Sequence, residues 1–437
     1  MGMIALADFL DRQQIKTRIT HLQIEKSLDE EFDELAYFRG KGAKIFCLDF
    51  HWHYQSGEVM AFIKRAKKAI PDSTIIVGGL SASFFGKEFL ELCPEADFVV
   101  RGDCEIPLLQ LIKVLLGRRR EERFDSIANL TFRRLGRVVE NPLTYTITQE
   151  IIDSLCYSRF DLINHYEYYL CCGLNLPYPK AGESGGTKYF YYNSGRGCSV
   201  NCTFCGGGRV AQKLLSNRRK PLFISHEAVL RDLRRARSFG ISNWHTCFDP
   251  QPGGDYYPEL FSKIGSENMG LNAIFECWSL PNERFLASFK ANLGAESVVV
   301  ISPEVGSEDV RRKNKGFFYS DAELHRSLDE ITKRNIRCEL YFTAGLPFET
   351  SEDVDATAKL ISCINNRYPA TKVSIFPMEM EPSSPMYLDG ERFCVSSQRR
   401  SLRDFIAASQ GEASAGYRTP YFSEEAIAKA IAGLRHA

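Results

Sequence analysis

No uninterrupted apolar run in the chain approaches the roughly 20 residues needed to span a bilayer, and the N-terminus shows no signal-peptide pattern. Both absences predict a cytoplasmic protein with no membrane partner. An excess of charge is missing as well. The 55 Lys and Arg residues are matched by 55 Asp and Glu, so no overall field draws the chain to nucleic acid. The run Arg118-Arg119-Arg120-Glu121-Glu122-Arg123 is mixed in sign and follows an apolar helix-like stretch, which suits an exposed helix end or linker. With 14 cysteines and no secretory signal, the chain reads as a protein of a reducing compartment rather than a disulfide scaffold. Hydrophobic residues at 44% and charged residues at 25% exclude disordered and fibrous classes. The 437 residues suffice for two or three domains, and a monomer is expected.

Most of the cysteines, from Cys47 and Cys93 to Cys363 and Cys394, stand singly, mostly within apolar runs, where packing is the default role. The pair Cys171-Cys172 lies just ahead of the most unusual segment. That segment, Gly195-Arg196-Gly197-Cys198-Ser199-Val200-Asn201-Cys202-Thr203-Phe204-Cys205-Gly206-Gly207-Gly208, places three cysteines within eight residues, directly after the aromatic run Tyr189-Phe190-Tyr191-Tyr192. Thiolates are the usual ligands of Fe–S clusters and structural zinc, which normally take four protein ligands. Three thiolates without an obvious fourth point to a cluster with one open iron. Two other readings fit the same residues: a zinc site completed by a distant histidine, and buried thiols.

Apolar periodicity divides the chain into two βα series. In the first, a helix from Met1 and a strand-like alternation over Ile15–Leu22 precede a helix Ser27–Arg39. Strands Lys44–Asp49, Ser73–Val77 and Asp97–Arg101 then alternate with helices Ser56–Ile70, Phe84–Leu92 and Pro107–Leu116. This alternation predicts a doubly wound parallel sheet over residues 1–117, whose ligands sit at the carboxyl ends of the strands. The loops there are Asp49-Phe50-His51-Trp52-His53-Tyr54-Gln55-Ser56 and Gly78-Gly79-Leu80-Ser81-Ala82-Ser83. Paired glycines admit a ligand close to the backbone, and Ser81 and Ser83 offer hydroxyls.

Residues 118–187 read as a linker with a hairpin, Ile127–Arg133 and Arg137–Glu140, turning at Leu135-Gly136. Pro177–Gly186 breaks every regular pattern and reads as linker, with a loop over the active site as the other reading. The second series, residues 188–388, has strands Lys188–Asn193, Asn243–Phe248, Asn272–Trp278, Ser297–Ile301, Arg337–Thr343 and Lys372–Pro377, with helices between them. Six such units predict a partial (β/α)6 barrel of the TIM type, with its chemistry on the loops at the strands' carboxyl ends. Residues 389–437 read as a small helical region, with helices expected over Ser396–Ser409 and Ser423–Leu434 as a cap on the barrel.

The C-x3-C-x2-C spacing, the aromatic before the last cysteine and the preceding strand resemble the signature loop of the radical S-adenosylmethionine superfamily. Residues 1 to about 115, including Asp97-Phe98-Val99-Val100-Arg101-Gly102-Asp103-Cys104-Glu105-Ile106-Pro107, resemble the cobalamin-binding domain that precedes many of its enzymes, closest to the methyltransferase-like branch. The resemblance reaches about Leu388. It implies a 4Fe–4S cluster on Cys198, Cys202 and Cys205 as metal ligands and catalytic centre, with S-adenosylmethionine at the open iron. Phe204, Gly206 and Gly207 would border that cofactor, Asp249 would meet its amino group, Glu304 its ribose, Arg311 its carboxylate and Gly345 its adenine. Cobalamin would lie on Gly78, Gly79, Ser81, Ser83 and His51.

The sequence departs from family patterns in three places. It has no Asp-x-His-x-x-Gly run, Gly253-Gly254-Asp255 only echoes the usual Gly-Gly-Glu, and the first sheet begins one strand late. The implied reaction is methyl transfer to an unactivated carbon, or phosphorus, of a small molecule. An external flavodoxin or ferredoxin would supply an electron for cleavage of S-adenosylmethionine, the deoxyadenosyl radical would take a substrate hydrogen, and methylcobalamin would deliver the methyl group. A radical rearrangement or cyclisation without methyl transfer, and a non-catalytic metal-binding protein, are the alternatives.

Overall fold

The structure is a computed structural model that describes residues 2–118, 123–172, 178, 180–411 and 414–436. Residues 119–122 of the mixed-charge run, and Pro177 and Pro179 of the irregular stretch, lie outside the described residues.

Strands β1 (Ile45–Asp49), β2 (Thr74–Gly78) and β3 (Phe98–Val100) run parallel and in sequence order. Their side chains alternate between faces. Ile75, Val77 and Val99 pack with helices Ser56–Ala69 and Gly86–Leu92, while Ile76, Phe98 and Val100 pack with helices Gly2–Arg12 and Glu105–Leu115. Both faces are thereby covered, as a parallel sheet requires. The expected hairpin is present as β4 (Leu130–Arg134) and β5 (Arg137–Glu140). It does not belong to a linker: β4 pairs antiparallel with β3 and extends the sheet to five strands.

Two N-terminal expectations fail for local reasons. Ile15–Leu22 forms no strand. Thr17 donates its hydroxyl to the Ile15 carbonyl at 2.8 Å, and Ile19 makes only an isolated bridge to Ile163. The single helix expected over Ser27–Arg39 is two, Leu22–Leu28 and Glu34–Gly40, because Asp33 caps a new helix by accepting from the Leu35 and Ala36 amides.

The second sheet contains β6 (Tyr189–Tyr191), and a short ribbon of β7 (Gly195–Arg196) and β8 (Leu222–Phe223) lies beside it. Then come β9 (Asn243–Thr246), β10 (Asn272–Cys277), β11 (Val298–Glu304), β12 (Arg337–Phe342) and β13 (Lys372–Ile375). The six long strands are all parallel, in the order β6-β9-β10-β11-β12-β13, which is the expected partial barrel. A register shift between Ile301 and Glu304 carries β11 past its expected end.

The C-terminal region differs from the two helices expected. Ser396–Ser397, β14, pairs antiparallel with β15 (Tyr417–Arg418), and the helix starts only at Leu402, where Ser401 and Asp404 cap one another's backbone. Helix Leu402–Ala408 rests on the first sheet's half: Phe405 lies 5.1 Å from the His53 ring and 5.6 Å from that of Phe85, and the Leu402 amide donates to Glu88. Helix Glu424–Leu434 rests on the barrel, with Ile427 against Gly345. Among the described residues no helix is long and apolar enough to cross a membrane.

Candidate cluster and cofactor site

The cysteine loop leaves the barrel between β7 and the helix Arg209–Ser216, at the carboxyl end of the parallel strands. Cys198, Cys202 and Cys205 are half-buried. Burial raises all three thiols, Cys205 to about 12, so a free thiolate is costly here. Metal coordination removes that cost. Two backbone amides already point at sulfur, Gly207 at Cys205 Sγ (3.3 Å) and Gly316 at Cys202 Sγ (3.2 Å). Such donors are how a protein tunes cluster sulfurs. Gly206 must lack a side chain, because a Cβ there would stand 2.7 Å from the Pro382 carbonyl oxygen. Among the described residues no three His, Cys, Asp or Glu side chains converge on one point as ligands of a single ion do. Three cysteines on one loop are a donor set that fits an Fe–S cluster.

The loop after β11 is stitched to the cysteine loop. The Thr203 amide donates to the Asn314 carbonyl at 2.9 Å, and the Thr203 hydroxyl to the Asn314 side chain at 2.5 Å. Phe204 packs against the small cluster of Val305, Val310 and Leu346, beside Met378. Glu304, in the left-handed backbone region at φ 67°, pairs with Lys315, whose Nζ lies 3.2 Å away. Burial works to lower the Lys315 pKa, but the Glu304 charge holds it above the ordinary lysine value. Glu304 also lines a cavity of about 310 Å³ together with Glu276, Ser302, Tyr341, Thr343 and Phe376.

Other expected residues are placed differently. Arg311 is fully buried and spends its guanidinium on the Val305 and Tyr319 carbonyls and on Asp321, so it braces the loop and Lys315 is the cation at Glu304. Asp249 accepts from the Trp278 amide at 3.1 Å, and burial raises its pKa to about 7. It lies next to Pro250, whose carbonyl accepts from Ser199 of the cysteine loop. Gly345 is not in the cavity wall. It packs under Ile427, donates its amide to Glu349 and accepts from the Tyr417 hydroxyl. The pair Cys171-Cys172 is engaged locally: Cys171 with the carbonyls of Ser184 and Gly186, Cys172 with that of Tyr168.

At the carboxyl edge of the first sheet, Gly79 has φ 119° and a Cβ on it would meet the Phe50 backbone at 2.6 Å, so its lack of a side chain serves the approach of two loops. Gly78 ends β2 beside it. Ser81 donates to the His51 carbonyl, and Ser83 donates to the Gly79 carbonyl and accepts from the Gly102 amide. These hydroxyls meet a ligand only as acceptors. The open surface is aromatic instead: Trp52 and Tyr54 are exposed, with rings 6.4 Å apart and nearly parallel. His51, half-buried and lowered in pKa by that burial, stands beside them. An aromatic wall with one imidazole fits a large planar ring system.

Sequence reasoning passed over the seam between the halves. His53 is buried, 4.0 Å from Glu379 and 3.8 Å from Glu381, and Arg399 lies 3.5 Å from Glu379. Burial and then the Arg399 charge lower His53 to about 4, while burial and then Glu379 raise Glu381 to about 7, so His53 is neutral near pH 7. A second seam is ionic: Arg196, from the cysteine segment, meets Asp103 at 3.1 Å and Glu105 at 2.7 Å, and Arg218 meets Asp103 at 2.5 Å. The only sequence signal for it was the acidic pair Asp103 and Glu105 just after β3.

Residues 192–361 match the family model described as the Radical SAM superfamily. Among curated proteins, the chain is 27% identical over 144 residues to the anaerobic magnesium-protoporphyrin IX monomethyl ester cyclase of Cereibacter sphaeroides, covering 33% of this chain and 21% of that one. It is 26% identical over 242 residues to the hopanoid C-3 methylase of Methylococcus capsulatus, covering 55% and 41%. The chain thus spans less than half the length of either. In fold it is similar to TsrM of Kitasatospora setae, a radical S-adenosylmethionine methyltransferase solved with tryptophan substrate and a cofactor analogue. The TM-score is 0.73 at 15% identity, over 99% of this chain and 85% of that one. The same enzyme solved with cobalamin and a 4Fe–4S cluster gives a TM-score of 0.71 at 14% identity, covering 99% and 87%. The segment Tyr192 to Ile361 is thus similar to the radical SAM superfamily, and the chain shares the fold of that solved methyltransferase over 99% of its length.

Proposed function

We propose that this chain is a cobalamin-dependent radical S-adenosylmethionine enzyme that methylates an unactivated carbon, or phosphorus, of a small molecule, with electrons from an external flavodoxin or ferredoxin. The observation that carries the reading is Glu381, which lies against Gly206 of the three-cysteine loop and 3.8 Å from His53 at the aromatic carboxyl edge of the first sheet. Cys198, Cys202 and Cys205 would hold the 4Fe–4S cluster, whose chemistry when bound is reductive cleavage of S-adenosylmethionine. Glu304 and Lys315 would bind the polar part of that cofactor, Lys315 as the donor and Glu304 as the acceptor. Trp52, Tyr54 and His51 would border cobalamin, and the seam at His53 and Glu381 would keep bulk water from the space between.

Anaerobic reconstitution, followed by iron determination and product analysis, tests this. The wild-type protein is expected to bind about four irons per chain, the nuclearity of the cluster, and to release 5′-deoxyadenosine. Cys198→Ala, Cys202→Ala and Cys205→Ala should lose both properties. A cysteine variant that keeps full activity without iron would refute the reading. The similarity to the monomethyl ester cyclase supports one second reading, radical cyclisation without methyl transfer. Label from methyl-labelled S-adenosylmethionine appears in product under the first reading and not under the second.

A further inference from the structure

The 310 Å³ cavity at the barrel mouth carries one carboxylate that the cofactor reading leaves unused. Glu304 is matched by Lys315, but Glu276 stands on a different strand, β10, at the other side of β11 from β12. Among the described residues it pairs with His245 on β9, with Nε2 2.7 Å from Oε1. His245 is 7% exposed and Glu276 25%, so the imidazole lies beneath and the carboxylate faces the opening. The Cys247 side chain lies beside the same carboxylate. An ionised carboxylate has about four acceptor positions, and these two neighbours leave some of them for a ligand.

The rest of the cavity is of another character. Phe376 packs edge-on against Tyr341 at 4.9 Å, and Phe342, Pro377 and Met378 complete an apolar, aromatic wall. The hydroxyl of Thr343, 2% exposed and in the same wall, has no hydrogen-bond partner.

We propose that Glu276 is the residue that recognises the substrate, accepting a hydrogen bond from a protonated amine or ring N–H borne on an aromatic or apolar body. His245 is the positioning residue that holds the carboxylate toward the opening. The inference rests on the barrel mouth being the reaction chamber, and it names the chemical class of the substrate there.

Binding separates this proposal from turnover. Phenethylamine and 3-phenylpropionate, which share a ring but differ in charge, are titrated calorimetrically into anaerobically reconstituted protein. Phenethylamine is expected to bind at least about tenfold more tightly, and Glu276→Gln to remove about that factor, as a charge-assisted bond implies. His245→Gln, which keeps a donor near the Nε2 position, should retain the preference, and His245→Ala should lose it. Equal binding of the two probes to wild type overturns the proposal even if a variant fails to fold. So does an unchanged preference in Glu276→Gln, or displacement of the amine by S-adenosylmethionine, which would assign Glu276 to the cofactor. Failure of the wild type to release 5′-deoxyadenosine counts against the enzyme reading alone.

Discussion

Replacing Asp103 by Asn tests how the cysteine loop is anchored to the first sheet. Two guanidinium groups, Arg196 and Arg218, face two carboxylates, Asp103 and Glu105, in a seam where Asp103 and Arg218 are each 5% exposed and Glu105 is 1% exposed. The four charges cancel. In Asp103→Asn the side-chain amide oxygen would still accept from the Ile147 amide, as the Asp103 carboxylate now does at 2.9 Å, so the substitution removes charge with little change of shape. It leaves one buried cation unmatched, and breaking such a pair costs about 3–5 kcal/mol. At roughly 2–4 °C per kcal/mol for a unit of 150–250 residues, the melting temperature should fall by roughly 6–20 °C. Differential scanning calorimetry under anaerobic conditions reads this directly. Adding Arg218→Met should restore part of the loss, with a coupling of about 1 kcal/mol or more between the two positions. Because Arg196 is two residues from Cys198, the single variant should also retain less iron. A melting temperature within about 1 °C of wild type would show that the seam is hydrated and the charges screened, and the argument would fail.

Gly79→Ala should destabilise the protein by more than about 2 kcal/mol in denaturant unfolding, since φ 119° is closed to other residues and the new Cβ meets backbone. Gly136→Ala, also at positive φ but in open space, should cost less than that, and equal costs would remove the clash from the account. Burial raises Glu349 from 4.5 to about 7. An acid raised in the native state lends stability that is full below pH 4.5 and lost as pH climbs through 7, so Glu349→Gln should gain on wild type by up to about 3 kcal/mol between pH 4.5 and 8. A gap that stays constant across unfolding curves at pH 5 and 8 would contradict the burial cause. Lys315→Met should weaken S-adenosylmethionine binding in equilibrium dialysis by roughly tenfold, and Lys315→Arg by much less. Unaltered affinity in Lys315→Met would take the pair out of the cofactor site.

Six barrel strands were readable because each is a compact apolar run whose period does not depend on its neighbours. The cysteine loop was readable because its ligands are adjacent in sequence. The β4–β5 hairpin was recognisable as a hairpin, yet its place was not, since the pairing of Phe132 with Phe98 across 34 positions leaves no local trace. Arg311 and Lys315 lie four apart, and nothing in their own spacing tells which of them faces Glu304. Tyr319 and Asp321 decide it by claiming Arg311 for the interior. Ser81 and Ser83 looked like free donors for the same reason: their partners are carbonyls of other loops. Glu276 and His245 were hidden more deeply, because two adjacent parallel strands align them without any shared motif.

The segment from Ser396 to Leu434 touches one half of the molecule with Phe405 and the other with Ile427. During synthesis both halves leave the ribosome before it does, and domains generally fold as units in that order. The sheet and the barrel already share one core and the Asp103 seam, so they can dock on each other before that segment arrives. The C-terminal segment then closes as a clasp over a joint that is already made, so its loss should loosen the His53 and Gly345 surroundings before it separates the two halves.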